Sequence, residues 1–449
     1  MIYDTFSNKI AFDAFMRKLA PCLLLLIGIL SAHEVPAQSI QYSSHFDDAT
    51  LRIKYLRSGN RTHNAVRVIQ DVRLEQWSGS LTALEDPFAN GHFRISLRDT
   101  LTGGILYSRC YNSLFSEYRD TPAGRDCSRT FEEVVRTPWP KHPVNICWEQ
   151  LGEDQRYHIQ HTHYFDPSQH SGNPDAPTAA RHTTTPLKLH FRGDIHKKVD
   201  VVIVPEGYGP ADSTKLRIDL KRFCRFLLRQ EPFASRRNDF NVWGIPLTGE
   251  ASGITDPNNG IKVNSLVGAS YNTFGADRYL MTMHLFQLHD AIGDTPCDHI
   301  VIMANSDTYG GGGIYNFYAM CSLSNMAALV LPHELGHSMG GLADEYVDED
   351  LSYGGTHCQD AEPTEPNITS LKDFDKKWKA LLPNDTPIPT PENSTVPQTE
   401  NGPIGVYEGA GYRPKGLYRP TQHCMMRNFA PFCPICCQRM HEVFDLYTH

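Results

Sequence analysis

His333 and His337 stand four residues apart, with Glu334 between them, in the run His333-Glu334-Leu335-Gly336-His337. On an α-helix four residues make one turn plus about 40°, so both imidazoles lie on one face. Two neutral imidazoles so placed can grip a divalent zinc ion, and Glu334 falls where a carboxylate can take a proton from water at the metal. That is the chemistry of a zinc hydrolase, with a peptide bond as the leading target. A catalytic zinc needs a third protein ligand and one open position. Gly340-Gly341 can stop the helix and turn the chain back. Asp344 and Glu345 follow directly, and either can supply an oxygen. Pro332 either kinks the helix or is its first residue, and both options leave the two histidines on one turn.

The longer string His333-Glu-Leu-Gly-His-Ser-Met-Gly-Gly-Leu-Ala-Asp-Glu-Tyr346 resembles the IgA-peptidase family of metallopeptidases, M64. It is also similar to the metzincin pattern His-Glu-x-x-His-x-x-Gly-x-x-His, with Gly340 at the glycine. It departs from that pattern at Ala343, which stands at the third-ligand position and cannot bind metal. The resemblance implies a metzincin-like catalytic fold, with Zn²⁺ held by His333, His337 and Asp344 and with Glu345 as the alternative third ligand. It further implies a methionine turn beneath the zinc. Cys424-Met425-Met426-Arg427 resembles that turn, with Met426 as the apolar floor. Val406–Ala410, Gly416–Pro420 and Phe432–Cys436 resemble the C-terminal part of the same family. Tyr346, Tyr418 and Arg419 are candidates for stabilising an oxyanion or contacting substrate.

The elements that must position these residues divide the chain into an α+β arrangement. Residues 38–166 read as an all-β sandwich domain: Leu51, Ile53 and Tyr55 alternate with Arg52 and Lys54, and Phe93, Ile95 and Leu97 with Arg94 and Ser96. Residues 167–186, rich in Pro, Ser, Thr and Asn, read as a linker. Residues 187–449 read as the metzincin-like α/β catalytic domain. In it Val199–Val204 is a buried strand, and Leu216, Leu220, Phe223 and Leu227 form a core-facing helical stripe. Residues 276–289 read as another helix, and a helical piece is expected near 371–382 in a polar surface insertion. Gly310–Gly313 lacks the Lys-Ser/Thr of a phosphate loop and reads as a bend into an edge strand, Ile314–Ala319, beside the cleft. Such an edge offers free N–H and C=O groups to an extended peptide.

With 449 residues, 40% hydrophobic and 21% charged, the chain has room for a large core, and a net charge of −9 argues against nucleic acid as a partner. Arg17 and Lys18 precede the apolar run Leu19–Leu30, which is short for a bilayer span, and Val35-Pro36-Ala37 resembles a cleavage site. Residues 1–37 therefore read as a signal peptide. The expectation is an exported protein, secreted, periplasmic or at the cell surface, with no stable membrane span in the mature chain. Twelve cysteines, Cys22 among them in the leader, leave an odd number beyond it. Cys424, Cys433, Cys436 and Cys437 admit a structural zinc cluster, but for an exported chain disulfides are preferred, with Cys358 as a long-range partner. The leading function is an exported zinc endopeptidase acting on protein or peptide. The alternative is an exported glycan- or protein-binding surface protein with a vestigial zinc site. An intact Glu334 argues against the alternative, because a merely structural zinc needs no general base.

Overall fold

Alternating apolar side chains build the first half of the molecule from two antiparallel sheets. The computed structural model describes residues 40–170, 185–348, 361–392, 398–399 and 402–448. The expected leader, most of the expected linker and Cys358 lie outside these. Strands β1 (Phe46–Gly59), β2 (Asn64–Leu74) and β5 (Arg129–Pro140) form one sheet in the order β2-β1-β5. Strands β3 (Phe93–Asp99), β4 (Ile105–Tyr111), β6 (Val144–Leu151) and β7 (Tyr157–Phe165) form the other in the order β4-β3-β6-β7. The sheets meet through Tyr55 on Trp148 and Trp139 on Phe165, with ring centroids 5.2 and 5.3 Å apart.

Alternation along β1 leads one to expect Arg52 and Lys54 in water, but both are buried. The helix Leu285–Ile292 covers that face and supplies the partners. Arg52 Nη1 donates to the His289 carbonyl at 2.8 Å, and Asp290 pairs with Arg52 at 3.1 Å and Lys54 at 2.7 Å. Residues 41–449 are accordingly one compact unit, the β-rich half packed on the half that follows.

The second half is organised by a six-stranded mixed sheet in the order β12-β13-β11-β9-β10-β8. Its strands are β8 (Leu187–His190), β9 (Val199–Glu206), β10 (Phe240–Gly244), β11 (His299–Ala304), β12 (Gly311–Ile314) and β13 (Tyr318–Ser322). The inner four run parallel and the two edges antiparallel. Every residue of β9 is buried, as expected of a parallel strand covered on both faces. The helix Ser213–Leu227 lays its predicted stripe into one core, with Leu216, Leu220, Phe223 and Leu227 at most 2% exposed. The helix Ala327–Ser338, which carries the His-Glu motif, joins the same core, as does the C-terminal helix Pro434–Thr448.

Three expectations change. Of the helix predicted over 276–289, only the end is helical, as part of Leu285–Ile292. The preceding residues follow the edge strand instead: Leu280 N donates to Gly311 O and Gly311 N to Arg278 O, each at 3.3 Å. The helix expected near 371–382 is two short 3₁₀ turns, Phe374–Lys376 and Lys379–Leu381, tied down by the Trp378 indole on the Gly405 carbonyl at 2.8 Å. The edge strand is Gly311–Ile314 rather than Ile314–Ala319, because the chain turns at Asn316 and Tyr318–Ser322 goes inside the sheet. Among the described residues no helix is long and apolar enough to cross a membrane.

Candidate metal centre and substrate cleft

The motif helix runs through Pro332 without breaking, so His333 and His337 share one face as the spacing requires. Their rings are oriented from behind. His333 Nδ1 lies 2.9 Å from the Met425 carbonyl and His337 Nδ1 2.7 Å from the Leu342 carbonyl. A carbonyl only accepts, so in the neutral ring each Nδ1 carries the proton and each Nε2 is left with a lone pair. The two Nε2 atoms are 3.2 Å apart. Past the turn at Gly341, Asp344 Oδ1 comes within 3.2 Å of His333 Nε2 and 3.4 Å of His337 Nε2. Ligands about 2.0–2.1 Å from a tetrahedral ion lie about 3.3 Å from one another. The triangle fits that ion. Asp344 Oδ1 is buried with no hydrogen-bond partner, and its Oδ2 accepts from the Tyr412 hydroxyl.

The local electrostatics suit a cation. Burial disfavours a charged imidazole, yet the Asp344 carboxylate outweighs it and lifts His337 to about 9. Against the raising effect of burial, the two histidines hold Asp344 well below the usual carboxylate range. Positive charge is thus stabilised where the three ligand atoms converge. Glu334, buried next to His333, is pushed above the ordinary range by desolvation. That shift suits a group that must take up a proton and release it.

Two close approaches build the surroundings. A Cβ on Gly336 would lie 2.4 Å from Met426 Sδ, so Met426 packs under the helix between the two histidines. A Cβ on Gly313 would lie 2.3 Å from the Glu334 carbonyl oxygen, so the glycine-rich edge strand can run directly over the motif helix. The result is a cleft of about 550 Å³ with the His-Glu-His-Asp group at its floor. Asn90, His92, Asn112 and Glu117 of the β-rich half line one wall. Glu117, pushed up to about 7 by burial, accepts from the Tyr279 hydroxyl.

Tyr346 lines this cleft, within 3.3 Å of Arg278 Nη2. Tyr418 and Arg419 do not line it. Tyr418 pairs by its backbone with Thr369, and the buried Arg419 donates to the carbonyls of Glu408 and Gly409 at 2.6 and 2.5 Å. Glu345, the alternative third ligand, faces away from the histidines toward Cys436, whose Sγ is 3.3 Å from its Oε1. The ten described cysteines are free, and Cys424, Cys433 and Cys436 gather around Glu345. Sequence reasoning missed Tyr412, Arg278 and Glu117. Only the Gly409-Ala410-Gly411-Tyr412 run, where Tyr412 takes a positive φ of 64°, carried a local signal of a special turn.

A family model described as IgA Peptidase M64 matches residues 187–402 and 396–444. A second, described as Peptidase M64 N-terminus, matches residues 41–162. No curated protein matches the chain.

Proposed function

The chain belongs to the IgA peptidase M64 family, and from that premise we propose that it is an exported, zinc-dependent endopeptidase with a metzincin-like catalytic half. The family supports a peptide hydrolase acting on peptide or protein. The observation that carries the finer reading is the convergence of His333 Nε2, His337 Nε2 and Asp344 Oδ1 on one point, with Asp344 Oδ1 otherwise unpartnered. Two imidazoles and one carboxylate are a catalytic zinc donor set that leaves a fourth position open. When bound there, zinc would supply Lewis acidity, polarising the scissile carbonyl and making a water acidic near neutral pH.

The chain's own residues do the rest. His333 and His337 present Nε2 because their Nδ1 protons are held by the Met425 and Leu342 carbonyls. Tyr412 fixes the carboxylate of Asp344 through Oδ2. Glu334 takes the proton of the attacking water on its carboxylate and hands it to the leaving amine. Tyr346, held by Arg278, is the group best placed to donate to a developing oxyanion. The edge strand Gly311–Ile314 borders the cleft, and beyond Gly311, whose N–H and C=O are already paired with Arg278 and Leu280, it offers backbone groups to an extended peptide. Export rests on the apolar run Leu19–Leu30 and the small residues ending at Ala37. A β-rich domain over 38–166 and a linker over 167–186 are part of the same reading.

The test is Glu334→Gln. Cleavage of an unlabelled peptide library is expected to fall by at least three orders of magnitude while bound zinc is unchanged. Turnover near that of the wild type would remove Glu334 from its role. No cleavage by the wild-type, zinc-loaded protein would favour a binding protein instead.

A further inference from the structure

Beginning at Glu345, the residue after Asp344, is a second group of side chains able to hold a metal ion. Glu345, Cys424, Cys433 and Cys436 are all buried, and one ligand atom from each falls within 4.8 Å of every other. Cys424 and Cys436 Sγ are 3.7 Å apart, and Cys436 Sγ is 3.3 Å from Glu345 Oε1. A tetrahedral ion with sulfur at about 2.3 Å and oxygen at about 2.0 Å sets its sulfurs about 3.8 Å apart and sulfur from oxygen about 3.5 Å. Glu345 Oε2 is buried without a hydrogen-bond partner, and a buried carboxylate in that condition is costly unless a cation meets it. From this geometry we infer that Glu345, Cys424, Cys433 and Cys436 form a structural site for one thiophilic divalent cation, of the zinc class.

Three further observations fit. Cys433-x-x-Cys436 opens the C-terminal helix, so both sulfurs come from one turn, as in many structural zinc sites. Glu345 Oε1 also accepts from Asn367 Nδ2 at 2.9 Å, which orients the carboxylate from outside the cluster. Arg419, 2% exposed, adds a buried positive charge close enough to interact with Glu345, which offsets part of the negative charge of three thiolates and a carboxylate.

The placement gives the site a task. Glu345 directly follows Asp344, and Cys424 directly precedes the Met425-Met426 turn. Glu345 N donates to the Met426 carbonyl at 2.8 Å, while His333 Nδ1 is held by the Met425 carbonyl. One ion would therefore clamp together the segment bearing the third catalytic ligand, the turn that orients His333, and the last helix. It would do so where an exported protein would ordinarily use a disulfide.

The experiment separates this site from the catalytic one. Full-length protein carrying His333→Ala and His337→Ala, loaded with Co²⁺, is expected to keep one metal per chain and to show sulfur-to-cobalt charge-transfer absorption. Adding Cys433→Ser is expected to abolish both. Because that variant can fail to fold, Glu345→Cys in the same background provides a second arm. It is expected to retain the metal and gain sulfur absorption. No metal in the His333→Ala/His337→Ala protein, metal without thiolate absorption, an unchanged spectrum in Glu345→Cys, or a disulfide among Cys424, Cys433 and Cys436 would each overturn the proposal. Failure of the zinc-peptidase reading would leave these readouts untouched, since none depends on hydrolysis.

Discussion

Asp344 divides its two oxygens between two tasks. Oδ1 faces the histidine nitrogens and Oδ2 is held by Tyr412. A ligand oriented from behind loses little freedom when the ion arrives, and such supporting partners are typically worth about 10–100-fold in metal affinity. Tyr412→Phe should therefore weaken zinc binding by about that factor, measured by chelator competition, with the fold intact. Equal affinity in mutant and wild type would mean that the hydroxyl does not position the ligand. That His333, Glu334, His337 and Asp344 would come together was legible in the sequence, because they lie within twelve residues and answer to helical spacing and one turn. Tyr412 was not, since 68 residues separate it from the carboxylate it holds. Tyr418 and Arg419 stand outside the cleft lining for the converse reason. A polar residue near a motif in sequence is free to spend its donors elsewhere, and Arg419 spends Nη1 on two backbone carbonyls.

At the scale of elements, the glycines of 310–313 have a steric explanation. Gly311 and Gly313 let the edge strand cross the motif helix at a distance no side chain allows, with Val330, Glu334 and His337 the helix residues they approach. Gly313→Ala would drive a methyl into the Glu334 carbonyl, which is helix backbone and cannot swing aside. Overpacking of this kind costs about 1–3 kcal/mol. The variant should melt several degrees lower and lose hydrolysis, because any relief shifts the helix or opens the strand. A melt and a turnover like the wild type's would show that the approach is looser. The buried strand Val199–Val204 and the stripe of Ser213–Leu227 were readable from periodicity alone. The helix expected over 276–289 was legible only at its end, because Arg278 and Leu280 pair with the Gly311 backbone, a tertiary contact that overrides local propensity.

At the scale of the whole molecule, the β-rich half is part of the cleft. Alternation along its strands disclosed the sheets, but not that the charged face of β1 would be covered by the helix Leu285–Ile292 or that Glu117 would reach the cleft wall. Glu117 gives a pH signature. Burial raises its folded-state value to about 7, above its ordinary 4.5. The unfolded chain therefore releases the proton first as pH rises, and stability falls between about 4.5 and 7, then levels off. Gln cannot ionise. Glu117→Gln should thus gain melting temperature relative to wild type between pH 4.5 and pH 7, with the difference constant above. A difference independent of pH would mean that Glu117 titrates normally.

The function proposed for this member of a peptidase family turns on a zinc held by His333, His337 and Asp344. Zinc content and peptide hydrolysis, measured together on purified wild type and Asp344→Ala, test it most directly. The variant is expected to lose one equivalent of zinc relative to wild type and to lose hydrolysis with it. A variant that keeps the full wild-type zinc content, or cleaves peptide at the wild-type rate, would contradict it.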